Sequence, residues 1–407
     1  MASTRRTPFS IVAVAVAVLA LAGCSSTDEA VDTTAPAVPT TDAPASTAEA
    51  TTTTVDPTAD ARAYAERGPH AVGVTTLTLA KGPSVEVWYP AVDGSTGTET
   101  YDVRDFTPEA IKALLTGDAT ATYSYEAARE ADVADGAFPV VLFSHGFTGM
   151  RLQSSFLTSH LASWGMIVVS PDHPSRDLAN VLGGTASGDR ADAVDDLLSS
   201  LDLITAQGAD STSLFAGHVD VESVVAVGHS AGGGTVLGAA EDPRIDGYVS
   251  LASGAFLGSS DTSTSVAPSL PAKPSFFMAG SVDAVVSPET RTRPSFEIAP
   301  SPSLLWILEG VGHNGFDDFC TFGNGTGIIG VAEASGLGPL LDAQPQLRSL
   351  GEDGCIAPAV AVDVTFPVIN HGVTAWIRQL FGVDPSPVGI TPDYATAFAV
   401  PVEIVTK

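Results

Sequence analysis

Beyond residue 70 the apolar residues fall into short unbroken runs separated by longer stretches with helical spacing. Residues 72–79 and 85–89 read as two strands joined by a turn at Lys81-Gly82-Pro83. Residues 140–144 and 166–170 are continuous apolar runs, with helical spacing over 152–164 between them. An amphipathic helix over 189–206 precedes a run at 224–227 and a helix of small residues at 231–240. Runs at 245–251, 275–279 and 304–308 follow, and the spacing predicts a last helix over 368–381. Strands that show no polar alternation are covered on both faces, which is the situation in a parallel sheet. The expected fold class is therefore α/β, a mostly parallel central sheet with helices on both faces. No internal repeat is visible, so solenoids and propellers are excluded.

The first 68 residues break this pattern. Arg5 and Arg6 precede an apolar run at 11–22, too short to span a bilayer core that needs about 20 residues. It reads as the h-region of an export signal over 1–23. The run ends in Leu21-Ala22-Gly23-Cys24, which resembles the bacterial lipobox. That resemblance implies cleavage before Cys24, lipidation of its thiol and anchoring to the cell membrane; an ordinary cleaved signal is the alternative. The export route stays open, because the residues after Arg5-Arg6 fit a twin-arginine signal poorly. From Cys24 to Asp60 the chain is mostly Thr, Ala, Pro, Ser and acid, with no Lys, Arg or aromatic residue. Such a segment cannot bury enough apolar surface to offset its ordering entropy, so a disordered acidic linker is expected over 24–68. Its coil would reach roughly 35 Å.

Composition narrows the function. With 18 Lys+Arg against 47 Asp+Glu the formal charge is -29, which repels polyphosphates and excludes nucleic-acid binding. Three cysteines exclude a disulfide-rich mini-scaffold and a four-cysteine zinc site. No residue pattern suggests a metal, flavin or nucleotide cofactor, and nothing fixes the oligomeric state.

One pattern carries chemistry. Gly228-His229-Ser230-Ala231-Gly232 fits G-x-S-x-G, with a strand expected before it and a helix after it. That is the setting of a nucleophile elbow, in which flanking glycines allow a tight, strained turn. A serine hydroxyl needs a base held by a carboxylate, in the chain order Ser, acid, His for this fold. Asp283 follows the run at 275–279 and His313 follows the run at 304–308, so both fall at strand ends on the edge that carries Ser230. His145, His173 and His371 are rivals for the base, and Asp317 and Asp318 for the acid. His229 is expected to point away from its neighbouring serine. The amide of Ala231 and that of Phe147, in the loop Ser144-His145-Gly146-Phe147-Thr148-Gly149, are the expected oxyanion donors.

Taken in order, Val87-Trp88-Tyr89-Pro90, the SHGFTG loop, LASWG leading into MIVVSPDHPSRD, GHSAGGG, AGSVDAVV and GVGHNGF resemble α/β-hydrolases. The similar branch holds dienelactone-hydrolase-like proteins, platelet-activating-factor acetylhydrolases and cutinase-like polyester hydrolases. The resemblance covers about 73–313 and implies Ser230, Asp283 and His313 as a triad, with Phe147 and Ala231 as oxyanion donors. Two departures stop polyester or phospholipid specificity from carrying over. Ala231 stands where polyester hydrolases usually have Met, and the insert 314–367 is far longer than theirs.

The insert contains Cys320 and Cys355, an even pair once Cys24 is lipidated, so a disulfide is expected there in an oxidising compartment. Seven residues beyond His313, it would brace the histidine loop, and the glycine-rich stretch 323–330 is placed to line or cover the substrate site. The domain expected over 69–383 leaves 384–407 as a C-terminal extension. The expected function is a lipid-anchored, exported serine hydrolase of carboxylic esters working through an acyl-enzyme. Alternatives are an acyltransferase or amidase using the same residues, or a non-catalytic envelope-binding lipoprotein. An aspartate nucleophile, as dehalogenation would want, is absent from the motif.

Overall fold

In the computed structural model of the chain, residues 57–113, 121–255 and 269–407 are described. The export signal, Cys24 and the linker as far as residue 56 lie outside the described residues. The strands are β1 (Ala71–Thr78), β2 (Ser84–Ala91), β3 (Thr98–Asp102), β4 (Thr122–Glu126), β5 (Ala128–Arg129), β6 (Phe138–Ser144), β7 (Ile167–Pro171), β8 (Val219–His229), β9 (Gly247–Leu251), β10 (Ser275–Gly280), β11 (Ser303–Leu308) and β12 (Val402–Thr406). Ten of them form one sheet in the order β12-β11-β10-β9-β8-β6-β7-β2-β1-β5. From β7 to β11 every neighbouring pair is parallel. The flanks turn antiparallel where β2 pairs with β7 and β12 with β11.

The unbroken apolar runs have a direct cause in this layering. Val141, Phe143, Val225, Val227, Met278 and Trp306 point to one side, packed with Phe156 and Leu161 of the helix Ser155–Ser163 and Val373 and Trp376 of the helix Val362–Leu380. Their sequence neighbours Val140, Leu142, Val224, Ala226, Phe277 and Leu305 point to the other, against Leu197, Leu201 and Ile204 of the helix Arg190–Ala209. With both faces covered, neither set of alternating positions tolerates water. Asp189 starts Arg190–Ala209 with a capping box, its carboxylate taking the Ala191 amide at 2.7 Å.

Two elements differ from expectation, and two more carried none. The linker expected over 24–68 ends sooner, because Ala61 and Tyr64 are buried. Tyr64 donates its hydroxyl to Asp384 at 2.7 Å and its amide to His371 Nδ1 at 3.2 Å, so two apolar anchors in a polar stretch suffice to order it. The stretch 384–407 is no appendage: β12 completes the sheet edge with Val402 opposite Leu308 and Ile404 opposite Trp306. Its alternating burial is that of an edge strand, a weaker pattern than an unbroken run. A separate hairpin pairs β3 with β4, both rich in Thr, Ser and Tyr. Finally, the insert is helical, with Gly327–Ala334, Gly338–Ala343 and Pro345–Glu352 in succession.

Candidate active site

Parallel strands deliver their carboxyl ends to one edge of the sheet, which is where α/β folds build sites. The end of β6 leads into the loop with Phe147, β8 into Ser230, β10 into Asp283 and β11 into His313. Between β8 and the helix Ala231–Ala239 the turn is tight enough to hold Ser230 at φ 55°, ψ -120°, a strained conformation for a residue with a Cβ. A Cβ at Gly232 would collide with the Ser144 carbonyl, so only glycine lets the helix start this close to the neighbouring strand.

At this edge Ser230 Oγ lies 2.9 Å from His313 Nε2, and His313 Nδ1 lies 2.8 Å from Asp283 Oδ2. Asp283 is itself fixed by the amides of Val285 and Val286, which donate to Oδ1 at 2.9 and 2.6 Å. In the neutral ring this pattern places the proton on Nδ1 and leaves Nε2 free to accept from the serine. Burial works against a charged imidazole here, but the carboxylates of Asp283, Asp317 and Asp353 outweigh it and hold His313 above its ordinary pKa. The amides of Phe147 and Ala231 have no hydrogen-bond partner among the described residues, as expected for a free loop amide and for the first turn of a helix.

The rival residues are committed elsewhere. His145 bonds the Gly146 carbonyl through Nδ1 at 2.8 Å and takes the His173 amide through Nε2 at 3.1 Å. His173 bridges Asp196 and Ser144 in a fully buried cluster. His371 accepts the Tyr64 amide. Burial pushes all three imidazoles down, toward the neutral form. Asp318 accepts the amides of Ser155 and Phe156 at a helix start and the Tyr101 hydroxyl, which leaves it no free face. Asp317 takes the Phe319 amide and Gln153 Nε2, and burial raises its pKa to about 7. His229 faces away from Ser230, donating to the His313 carbonyl at 3.2 Å and accepting from Gln153.

Three residues of the site carry no mark in the sequence. Gln153 accepts the Gly146 amide at 2.7 Å while donating to Asp317, and so ties the Phe147 loop to the stretch after His313. Arg176 clamps the same loop by donating to the His145 carbonyl and the Ser144 hydroxyl. Asp353, in the insert, accepts the His313 amide at 2.6 Å and the Ala284 amide at 3.0 Å, joining the His313 loop to the Asp283 loop. Its position two residues before Cys355 is the one hint available, since the Cys320–Cys355 disulfide does form and closes the insert there. Among the described residues no group of His, Cys, Asp or Glu is arranged to hold a metal ion.

Residues 122–320 match a protein-family model described as PET hydrolase-like, a stretch that includes Ser230, Asp283 and His313. A solved ferulic acid esterase from Streptomyces cinnamoneus shares the fold, with a TM-score of 0.57 and 18% identity, over 84% of this chain and 97% of that one. The sheet order and this likeness show an α/β-hydrolase fold. The PET hydrolase-like match marks it as a carboxylic ester hydrolase. No protein of curated function matches its sequence significantly. The family match in this α/β-hydrolase stops at Cys320, so most of the insert lies beyond it.

Proposed function

We propose that this α/β-hydrolase cleaves carboxylic esters through an acyl-enzyme on Ser230. The observation that carries the reading is the hydrogen-bonded chain Ser230–His313–Asp283 beside two unpaired amides. In the first half-reaction Ser230 Oγ attacks the ester carbonyl carbon as its proton passes to His313 Nε2. The carbonyl oxygen takes up negative charge and is received by the amides of Phe147 and Ala231. Collapse breaks the ester C–O bond, and the alcohol leaves with the proton from His313. Water then repeats the sequence on the acyl group, releasing the acid and restoring Ser230. Asp283 holds the imidazole in the tautomer that accepts from serine and stabilises the imidazolium that forms.

The test uses p-nitrophenyl esters and an alkyl fluorophosphonate label followed by intact-mass measurement. Wild type is expected to turn over the ester and gain one phosphonyl group. Ser230→Ala is expected to lose at least about a thousandfold in kcat, with the label absent and the melting temperature little changed. A variant that keeps a tenth of the rate would remove Ser230 from the role of nucleophile.

The reading extends to location. The apolar run at 11–22 and the Leu21-Ala22-Gly23-Cys24 motif support export and lipid anchoring at Cys24, with the acidic segment behind it as a tether. Cys24→Ser is then expected to move active enzyme from the membrane fraction to the soluble one. Retention of that variant in membranes would show that another feature does the anchoring.

A further inference from the structure

The ester chemistry uses only one end of the pocket that opens over Ser230. At that end lie Ser230, His313, Asn314 and Gln153; Asn314 spends its side-chain amide on the Leu350 and Asp353 carbonyls. Away from it the lining becomes hydrocarbon. The three insert helices line the pocket with Ile328, Leu340, Leu347 and Leu350, joined by Leu337 at the start of the second, and each is half-buried, with part of its surface left open. Leu178 and Leu182, from the helix Leu178–Gly183, form the facing wall with Val103. The charged group in this lining, Arg104, is bound bidentately by Asp102 and already neutralised.

Five half-open aliphatic side chains on one concave wall are costly to keep in water unless something apolar covers them. The wall is continuous with the reacting serine, so whatever covers it is attached to the scissile ester. A carboxylate or phosphate on that arm would meet no uncompensated cation among the described residues lining the pocket and would enter a protein of formal charge -29. We propose that the insert is the substrate-selecting part of the enzyme, and that its leucine wall binds the hydrocarbon arm of a neutral ester. The inference rests on Ser230 as the nucleophile and adds the class of substrate. Each methylene the wall removes from water is expected to raise kcat/KM about threefold to fourfold until the wall is full.

The experiment measures kcat/KM for p-nitrophenyl acetate, butyrate, hexanoate and octanoate, and for octyl acetate against ethyl acetate. A rise of at least tenfold from acetate to octanoate places the acyl arm on the wall; a rise confined to octyl over ethyl acetate places the alcohol arm there, and either supports the proposal. Two variants test the location: Ala332→Trp, which fills the pocket from the helix Gly327–Ala334, and Leu340→Asp, which puts a charge in the wall. Both residues line the pocket and are half-buried, so neither change is expected to empty the core. Each is expected to cut the long-to-short ratio of kcat/KM at least tenfold. A flat chain-length profile in both series, or variants that lower long and short esters equally, would overturn the proposal. Fluorophosphonate labelling of Ser230 is followed in the same preparations. A flat profile with labelling intact sinks the wall alone, whereas absence of labelling brings down the nucleophile with it.

Discussion

The parallel sheet and the insert after His313 hold the same site by opposite means. The sheet fixes Ser230, Asp283 and His313 through short loops at the ends of β8, β10 and β11, so their separation is inherited from strand spacing and register. The insert returns to the site after a long excursion and touches it from outside. It does so through Asp353, which bonds both the His313 loop and the Asp283 loop, and through a backbone approach in which Gly312 and Gly354 meet too closely for a Cβ on either. The hydrogen-bonded arrangement of Ser230, His313 and Asp283 can therefore be inherited from a fold while its fine alignment and its pocket come from an addition to it.

If the sheet alone sets the chemistry, damage to a strand-end residue is expected to exceed any damage within the insert. Asp283→Asn keeps the shape of the acid but lets the imidazole take the wrong tautomer, and a loss of about a thousandfold or more in kcat is expected. Asp317→Asn is expected to cost far less, since Asp317 serves the Phe319 amide and Gln153. A larger loss at Asp317 in steady-state assays would move the acid role to the stretch after His313 and erase the contrast.

The pH profile connects the two regions. In the proposed reaction only neutral His313 accepts the serine proton, and its pKa is raised, so kcat/KM is expected to climb as pH rises through an apparent pKa above about 6.5. Asp353 is one of the carboxylates responsible. Asp353→Asn removes that charge while keeping an amide oxygen as acceptor, so the limb is expected to shift to lower pH, with about a tenfold fall in kcat from poorer alignment. A change in kcat without a shift of the limb would reduce Asp353 to a purely mechanical clamp.

The same contrast explains what could be read from the chain. The apolar runs within β6 to β11 were legible because burial on both faces leaves them few polar positions, and Ser230, Asp283 and His313 were legible because they follow those strands within a short loop. The β3–β4 hairpin was not, since TETYD and TYSYE alternate weakly and their pairing spans an intervening helix. Nor was β12, whose partner β11 lies over ninety residues earlier in the chain. The glycine-rich stretch 323–330 shows no helical spacing of its own, yet Ile328, Ile329 and Val331 supply enough apolar surface to pack Gly327–Ala334 as a helix. Arg176 and Asp353 act through backbone carbonyls and amides far away in sequence and Gln153 through the distant Asp317 carboxylate, and local spacing contains no trace of such bonds.

The smallest effect on rate is expected where the insert is closed. The Cys320–Cys355 bridge spans 35 residues, and in the chain-entropy picture a loop of that size stabilises the fold by roughly 4 kcal/mol. Cys320 is buried beside the Asn314 carbonyl, so Cys320→Ser opens the loop without adding bulk. Asp353 lies only two residues before Cys355, and opening the bridge loosens its hold on the His313 amide. The melting temperature is therefore expected to fall by several degrees. The rate at low temperature is expected to fall only severalfold, because Ser230, His313 and Asp283 remain on the sheet. Dithiothreitol is expected to reproduce both changes in wild type and to leave Cys320→Ser unaffected. A loss of activity as deep as that of Asp283→Asn, measured well below the melting temperature, would show that the insert sets the catalytic geometry together with the sheet.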